Sequence, residues 1–434
     1  MKLSEELLAQ RLESEIGPDL VKAEPDLLAQ YIVDGHRPSF MCRPATAAQT
    51  AAVLRVCNEA EAAVAPWGGG TAMALGNPPR ELNLVIDLAG LNRVVEHDAA
   101  NLTATLEAGI TLNAIQAILA RQNQFLPLDP PHPSRATAGG VIATNLNGPR
   151  RSSYGNIRDL VIGMKAALAT GEVIKAGGKV VKNVAGYDMC KLFTGFLGTL
   201  GIITEATFKL APLPEDSATL IAQGPLGDCL KVSEEVRSST LLPAAVTVLN
   251  GAAAQANGFQ RDAAAIAVRA EGFTEAVERH LHDFQSIAEQ RALDSEVLRQ
   301  VPHEQLWNRI RDFGMDTQAI VYRVTLPLAS VAQALLALDQ GDDPITEAQV
   351  IAHAQSGTIW TQTSPAEGIG WFSKLTQLAQ KHNGHAVIIR APASLKQDID
   401  IWGPPPGSLS LMREIKKQFD PHGILNPGRF VANL

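Results

Sequence analysis

The chain is poorly equipped to hold a metal or a cluster. Its four cysteines, Cys42, Cys57, Cys190 and Cys229, are scattered through 434 residues with no C-x-x-C pair, so an iron–sulfur cluster or a structural zinc lacks its usual ligands. They read as buried small hydrophobes. Should the chain carry redox chemistry, a separate partner must take the electrons onward. No uninterrupted apolar run approaches the roughly 18 to 20 residues that span a bilayer, and the polar start Met1 to Glu15 lacks a signal-peptide core. The expectation is a cytoplasmic protein. A net charge of -8, with no basic patch interleaved with aromatics, argues against nucleic acid as the main partner. No G-x-x-x-x-G-K-[ST] occurs, so a P-loop nucleotide hydrolase loses its main support.

Glycine, by contrast, is plentiful and clustered. Pro66-Trp67-Gly68-Gly69-Gly70-Thr71-Ala72-Met73 follows the apolar run Ala62 to Ala65, which reads as a buried strand. Three consecutive glycines remove every Cβ and let backbone N–H groups converge on an anion, the nest geometry that holds phosphates; an ordinary glycine turn fits the same residues. A Rossmann site does not fit. Gly68 and Gly70 occupy the first two positions of G-x-G-x-x-G, but Met73 stands at the third, and Gly76-Asn77-Pro78-Pro79 intervenes before a crossover helix.

At 434 residues the chain exceeds what one core supports, and two domains are expected. Helical spacing marks Leu3 to Ile16 and Asp26 to Val33, and Ser39 to Arg43 reads as a strand. Thr46 is a good N-cap for a helix through Glu61, and Thr111 for another. Leu84 to Leu88, Leu102 to Ala108, Leu160 to Leu168 and Glu172 to Lys175 read as strands. The prolines of Asp129 to Pro133 forbid helix, and Ala136 to Asn145 is rich in small residues that let backbone approach a flat ligand or another helix. Two polar loops follow, Gly148 to Arg151 and Tyr154 to Asp159. After Pro212-Leu213-Pro214, alternating strands and helices from Ser217 to Ile389 suit an α+β second domain with a mainly antiparallel sheet, its halves an imperfect internal repeat. The helix Leu409 to Phe419 and the tight turn Asp420 to Phe430 end the chain. The expected divisions are 1–214, 215–395 and 396–434.

Taken in order, Pro66 to Met73, Ala136 to Asn145, Gly163 to Gly171, Lys182 to Asp188 and Gly198 to Thr204 resemble the flavoprotein family of vanillyl-alcohol oxidase and p-cresol methylhydroxylase. The likeness covers residues 40 to 212 and the tail after 409. Within the family, Gly177 to Asp188 and Asp420 to Phe430 resemble the smaller FAD-binding (E) subunits of bacterial glycolate oxidases. The resemblance implies that Trp67, Gly68, Gly69, Gly70, Thr71, Ala72 and Met73 wrap the pyrophosphate of FAD. It puts Thr137, Gly139, Gly140 and Ala143 along the ribityl and ring region, and Gly201, Ile202 and Ile203 at the adenine. Pro133, Tyr154 and Gly155 join the cofactor set, and Arg429, Asn426 and Lys182 are the candidates beside the ring. Members that bind flavin covalently carry His where Thr71 stands, so dissociable FAD is expected. No metal is expected, because His382 and His385 lack the acidic residue and spacing of the family's paired-histidine site. The implied partners are a larger FAD-binding catalytic subunit and an iron–sulfur subunit, with membrane contact only through them. The implied activity is oxidation of a 2-hydroxy acid such as glycolate, performed as a subunit or by the chain alone; a fold-retaining assembly subunit is the remaining alternative.

Overall fold

The structure is a computed structural model that describes residues 4–179, 187–260, 262–315, 318–340 and 348–434. Lys182 lies outside the described residues. The first body begins with helix Glu5–Ile16, capped by Ser4 and burying Leu8, Leu12 and Ile16. Helix Ala47–Ala60, capped by Thr46, packs beside it. The helix expected over 26–33 stops early: one turn, Pro25–Leu28, gives way to a 3₁₀ turn through Tyr31.

Two sheets carry this body. Strands β1 (Val21–Lys22), β2 (Phe40–Cys42), β3 (Val64–Trp67) and β4 (Leu84–Asp87) lie in the order β1-β2-β4-β3, with β4 parallel to both β2 and β3. Then follow β5 (Val94–Asp98), β6 (Thr103–Glu107), β7 (Gln124–Phe125), β8 (Val161–Ala167), β9 (Val173–Gly177), β10 (Ile202–Lys209) and β11 (Ala211–Pro212). Five of them form an antiparallel sheet, β5-β6-β10-β8-β9, while β7 and β11 pair as a ribbon. The apolar faces of both sheets and the helices between them share one core, which includes Leu54, Ile86, Leu106, Ile142 and Phe208.

The second body is one sheet of eight strands among the described residues: β12 (Asp216–Gly224), β13 (Ala245–Leu249), β14 (Ala264–Gly272), β15 (Asp294–Arg299), β16 (Ile320–Thr325), β17 (Gln349–His353), β18 (Thr358–Thr363) and β19 (His385–Arg390). The order is β15-β12-β14-β13-β17-β18-β16-β19, and every pairing is antiparallel. Outward from the β13–β17 pair in the middle, each half places its second, third, first and fourth strand in turn. Helices Leu226–Ser238 and Thr274–Glu289 follow the first and third strands of one half, and Val331–Gln340 and Gly368–Lys381 those of the other. The cap sheet is thus two β-α-β-β-α-β units joined edge to edge. The helices cover one face: Val277, Leu281 and Phe284, at helical spacing, are buried in the same cluster as Leu220, Val246 and Val268. The other face turns toward the first body.

The tail ties the bodies together. Helix Leu409–Phe419 leads into a turn whose Ile424 carbonyl accepts from Val64 N (2.8 Å) and whose Asn426 N donates to Val64 O (2.8 Å). Ile424 and Leu425 are buried in the first core, Phe430 and Val431 in the second.

Candidate functional site

A hollow opens at the end of β3, a concave site of the kind that takes a small molecule or cofactor. Its wall is the set of glycine-rich segments. Pro66 to Met73, Thr137, Gly139 to Val141, Ala143, Gly198 and Gly201 to Ile203 line it, with Asn426 and Arg429 from the tail. Segments separated by up to about 360 residues therefore meet at one place.

Close approach explains the glycines. A Cβ on Gly69 would stand 1.8 Å from the Arg135 carbonyl oxygen, and one on Gly68 2.3 Å from Thr137 Oγ1. Arg135 Nη2 donates back to Gly69 O at 3.1 Å, fastening the loop to the segment before helix Ala138–Thr144. Thr137 caps that helix through Gly140 N, 3.4 Å. Gly139 lets the helix sink onto Ala108, whose Cβ is 2.7 Å from where a Gly139 Cβ would lie. On the pocket side the helix shows backbone and small side chains, a surface a planar ring can approach.

The tail supplies the polar end. Arg429 is only 1% exposed. Its Nη2 donates to Met73 O (2.8 Å) and to Leu75 O, holding the far end of the glycine loop. Trp402 Nε1 and Asn77 N, both at 3.0 Å, hold the Arg429 carbonyl. Burial, opposed by Asp34, lowers the Arg429 guanidinium to about 10, so it remains cationic near neutral pH. Asn426 Nδ2 donates to Leu197 O at 2.6 Å. Arg429 Nε and Nη1 and Asn426 Oδ1 have no partner, although buried. Leaving such groups unmet costs about 1–3 kcal/mol each, and an acceptor-rich ligand in the hollow would relieve it. Backbone amides for a pyrophosphate, a bulk-free surface for a ring and a buried cation at one end fit FAD.

Several expected residues lie elsewhere. Pro133 is not in the wall, where Pro130 and Pro131 stand instead; its carbonyl accepts from Asn113 N. Tyr154 and Gly155 are also outside the wall. The Tyr154 hydroxyl donates to Glu271 Oε2 at 3.0 Å, and its ring meets Phe125 edge-on. The polar loops expected around them are two short helices, Arg151–Tyr154 and Ile157–Leu160, the second closed by a capping box from Asn156 and Asp159. Sequence reasoning passed over the wall residues Leu88, Phe193, Phe196 and Met315. The proximity of Phe193 and Phe196 to the glycine run at 198–201 was the available signal; Met315 gave none.

His382 is buried and His385 opens β19. Among the described residues no three His, Cys, Asp or Glu side chains cluster as metal ligands would. No helix among them is long and apolar enough to cross a membrane.

Comparison with known proteins agrees with this geometry. Residues 38–177 match the FAD binding domain family, and residues 405–430 the C-terminal domain of FAD linked oxidases. The chain is 42% identical over 186 residues to glycolate oxidase subunit GlcD of Bacillus subtilis, a stretch spanning 43% of this chain but only 39% of that one. It is 29% identical over 418 residues to a D-lactate dehydrogenase of Archaeoglobus fulgidus (90% of this chain, 91% of that one). With glycolate oxidase subunit GlcE of Escherichia coli it shares 27% over 378 residues (85% and 92%). Among solved structures, p-cresol methylhydroxylase superposes with a TM-score of 0.76 at 19% identity, covering 98% of this chain and 96% of that one. The α+β fold is that of this structural neighbour, and the match of residues 38–177 to the FAD binding domain makes FAD the cofactor.

Proposed function

We propose that the chain is the FAD-binding E-type subunit of a glycolate (2-hydroxy acid) dehydrogenase complex, working with a larger FAD-binding catalytic subunit and an iron–sulfur subunit. The observation that carries the reading is the hollow itself: main-chain donors and glycines on one side, and the unpaired N–H groups of Arg429 on the other. The near end-to-end similarity to GlcE supports the subunit assignment.

Trp67 to Met73 hold the pyrophosphate through their amides, Thr137 to Ala143 carry the ribityl chain and ring, and Gly201 to Ile203 meet the adenine. When bound, FAD supplies a two-electron acceptor for a hydroxyl-bearing carbon. Arg429 and Asn426 fix the ring's polar edge, and the Arg429 charge favours negative charge there. Lys182 keeps its place as a ring-side candidate. With Thr71 where a covalent link would need histidine, the FAD is dissociable.

A self-sufficient 2-hydroxy acid dehydrogenase is the second reading, favoured by the similarity to D-lactate dehydrogenase along 90% of the chain. Anaerobic mixing with glycolate separates the two. The FAD-loaded chain alone should keep its flavin absorbance and lose it when the partner subunits are added. Bleaching of the isolated chain would establish the second reading, and no bleaching in the reconstituted complex would reject the first.

A further inference from the structure

From Met73 the glycine loop runs on through Ala74, Leu75 and Gly76, and two buried cations take these four carbonyls in alternation. Arg429 Nη2, from the tail, donates to Met73 O at 2.8 Å and to Leu75 O. Lys396 Nζ donates to Ala74 O at 2.5 Å and to Gly76 O at 3.3 Å. Gly76 permits so close an approach. Its φ is +110°, and a Cβ on it would stand 3.1 Å from Arg429 Nη2 and 3.0 Å from the Arg429 carbonyl oxygen.

The two cations border different spaces. Arg429 lines the flavin hollow, whereas Lys396 lines a separate polar cleft with Asp34, His36 and Asn77. Lys396 ends the turn Ala393–Lys396, which follows the last cap strand, β19. Its remaining N–H meets Asp34, 2.9 Å from Oδ1 and 3.0 Å from Oδ2, so all three donors of the ammonium are used. Asp34 sits in a two-residue turn closed by Val33 and His36, with φ +46° at Asp34 and +86° at Gly35, the backbone that Asp-Gly favours. Both side chains are buried, Lys396 at 0% exposure and Asp34 at 7%. An N-terminal turn, the exit from the cap and the tail thus converge on four consecutive carbonyls at the far end of the flavin loop.

Among the described residues Asp34 is the one carboxylate within ion-pair reach of either cation. Burial pushes the Lys396 ammonium down against the pull of Asp34, and the Arg429 charge pushes it further. Apolar side chains join two bodies at less cost than a buried ion pair does. What Lys396 adds is its grip on alternate carbonyls. With 74 and 76 held from the cleft side, 73 and 75 are fixed for Arg429 on the hollow side, where its Nε and Nη1 remain unpaired. We propose that Lys396, oriented by Asp34, is a positioning residue for the flavin: it sets the 73–76 backbone that aims the Arg429 guanidinium into the hollow. The inference rests on the reading of that hollow as an FAD site.

Two variants of the full chain separate positioning from bulk stability. Asp34→Asn strips the carboxylate but leaves Lys396, whose N–H groups still reach Ala74 O and Gly76 O. Asp34→Asn with Lys396→Met removes a net-neutral pair together with the grip on the carbonyls. In denaturant melts the single variant should be the less stable, since it leaves a buried ammonium without its counter-charge and the double variant leaves none. FAD affinity should run the other way. When cofactor-free chains are titrated with FAD, the single variant should stay within about threefold of wild type, and the double variant should raise Kd by about tenfold or more, as loss of a charge-assisted hydrogen bond does. The flavin midpoint potential should also fall in the FAD-loaded double variant. Because the lost pair carries no net charge, that fall reports a displaced Arg429 guanidinium. A double variant with wild-type Kd and potential, or affinities that follow stability so that Asp34→Asn binds worst, overturns the proposal. A folded wild-type chain that takes up no FAD rejects the flavin reading and this inference with it, while wild-type uptake beside an unaltered double variant rejects this inference alone.

Discussion

The two sides of the interdomain space are built from different materials. The first body presents backbone: the glycines of β3's end, of helix Ala138–Thr144 and of the 198–201 run, where a Cβ on Gly69 or Gly198 would lie 1.8 or 2.5 Å from a neighbouring atom. The cap presents side chains: Arg269, Glu271, Arg323 and His353, brought to one face by strand register. A wall of main chain recognises a shape and a diphosphate and tolerates little change. A wall of side chains can be retuned one residue at a time, since a side chain can be exchanged without moving the main chain that carries it.

Breaking the contrast hardest should be Glu271→Gln. It leaves Arg150 and Arg269 buried without their shared carboxylate, and losing one partner of a buried ion pair costs about 3–5 kcal/mol. Denaturant melts should show it directly. Gly69→Ala should come next. Its methyl meets backbone, which cannot swing aside, so the loop must shift, at about 1–3 kcal/mol as overpacking generally costs. FAD per chain should fall as well. A loss of stability with FAD content unchanged would show that the loop is structural only.

The pH dependence sharpens the cap side. His353 is lowered to about 3 and His303 to about 4, each chiefly by burial and then by a neighbouring arginine. Depressed in the folded state, both bind fewer protons there than in the unfolded chain. Their contribution is complete above the unfolded value near 6.5 and is lost as pH falls toward 4 and 3, by at most about 1.4 kcal/mol per pH unit per histidine. Asp129 runs oppositely. Burial raises it to about 6, so its contribution is present at low pH and lost as pH rises from about 4 to 6. His353→Gln should flatten the acid limb of the melting-temperature profile. The smallest effect belongs to Arg55→Ala, which breaks the exposed pair with Glu15 and should change stability by less than about 1 kcal/mol.

The same contrast decided what the sequence revealed. Caps announced the helices begun by Thr46 and Thr111, and the apolar spacing of 409–419 gave that helix its bounds. The glycine wall was visible because close backbone approach demands a residue type that stands out. Strands β5 and β15 escaped notice: both are edge strands with largely exposed, charged residues, so neither alternates cleanly. Resemblance puts Tyr154 in the cofactor set, whereas the partner its hydroxyl meets, Glu271, lies 117 residues away.

The central claim is that main-chain segments lacking side-chain bulk enclose FAD. Its most direct test is to purify the chain, record the flavin absorbance per chain, and release the cofactor by unfolding. About one FAD per chain, freed without proteolysis and rebinding on refolding, is the predicted result. A folded chain that is colourless and takes up no added FAD would contradict the account.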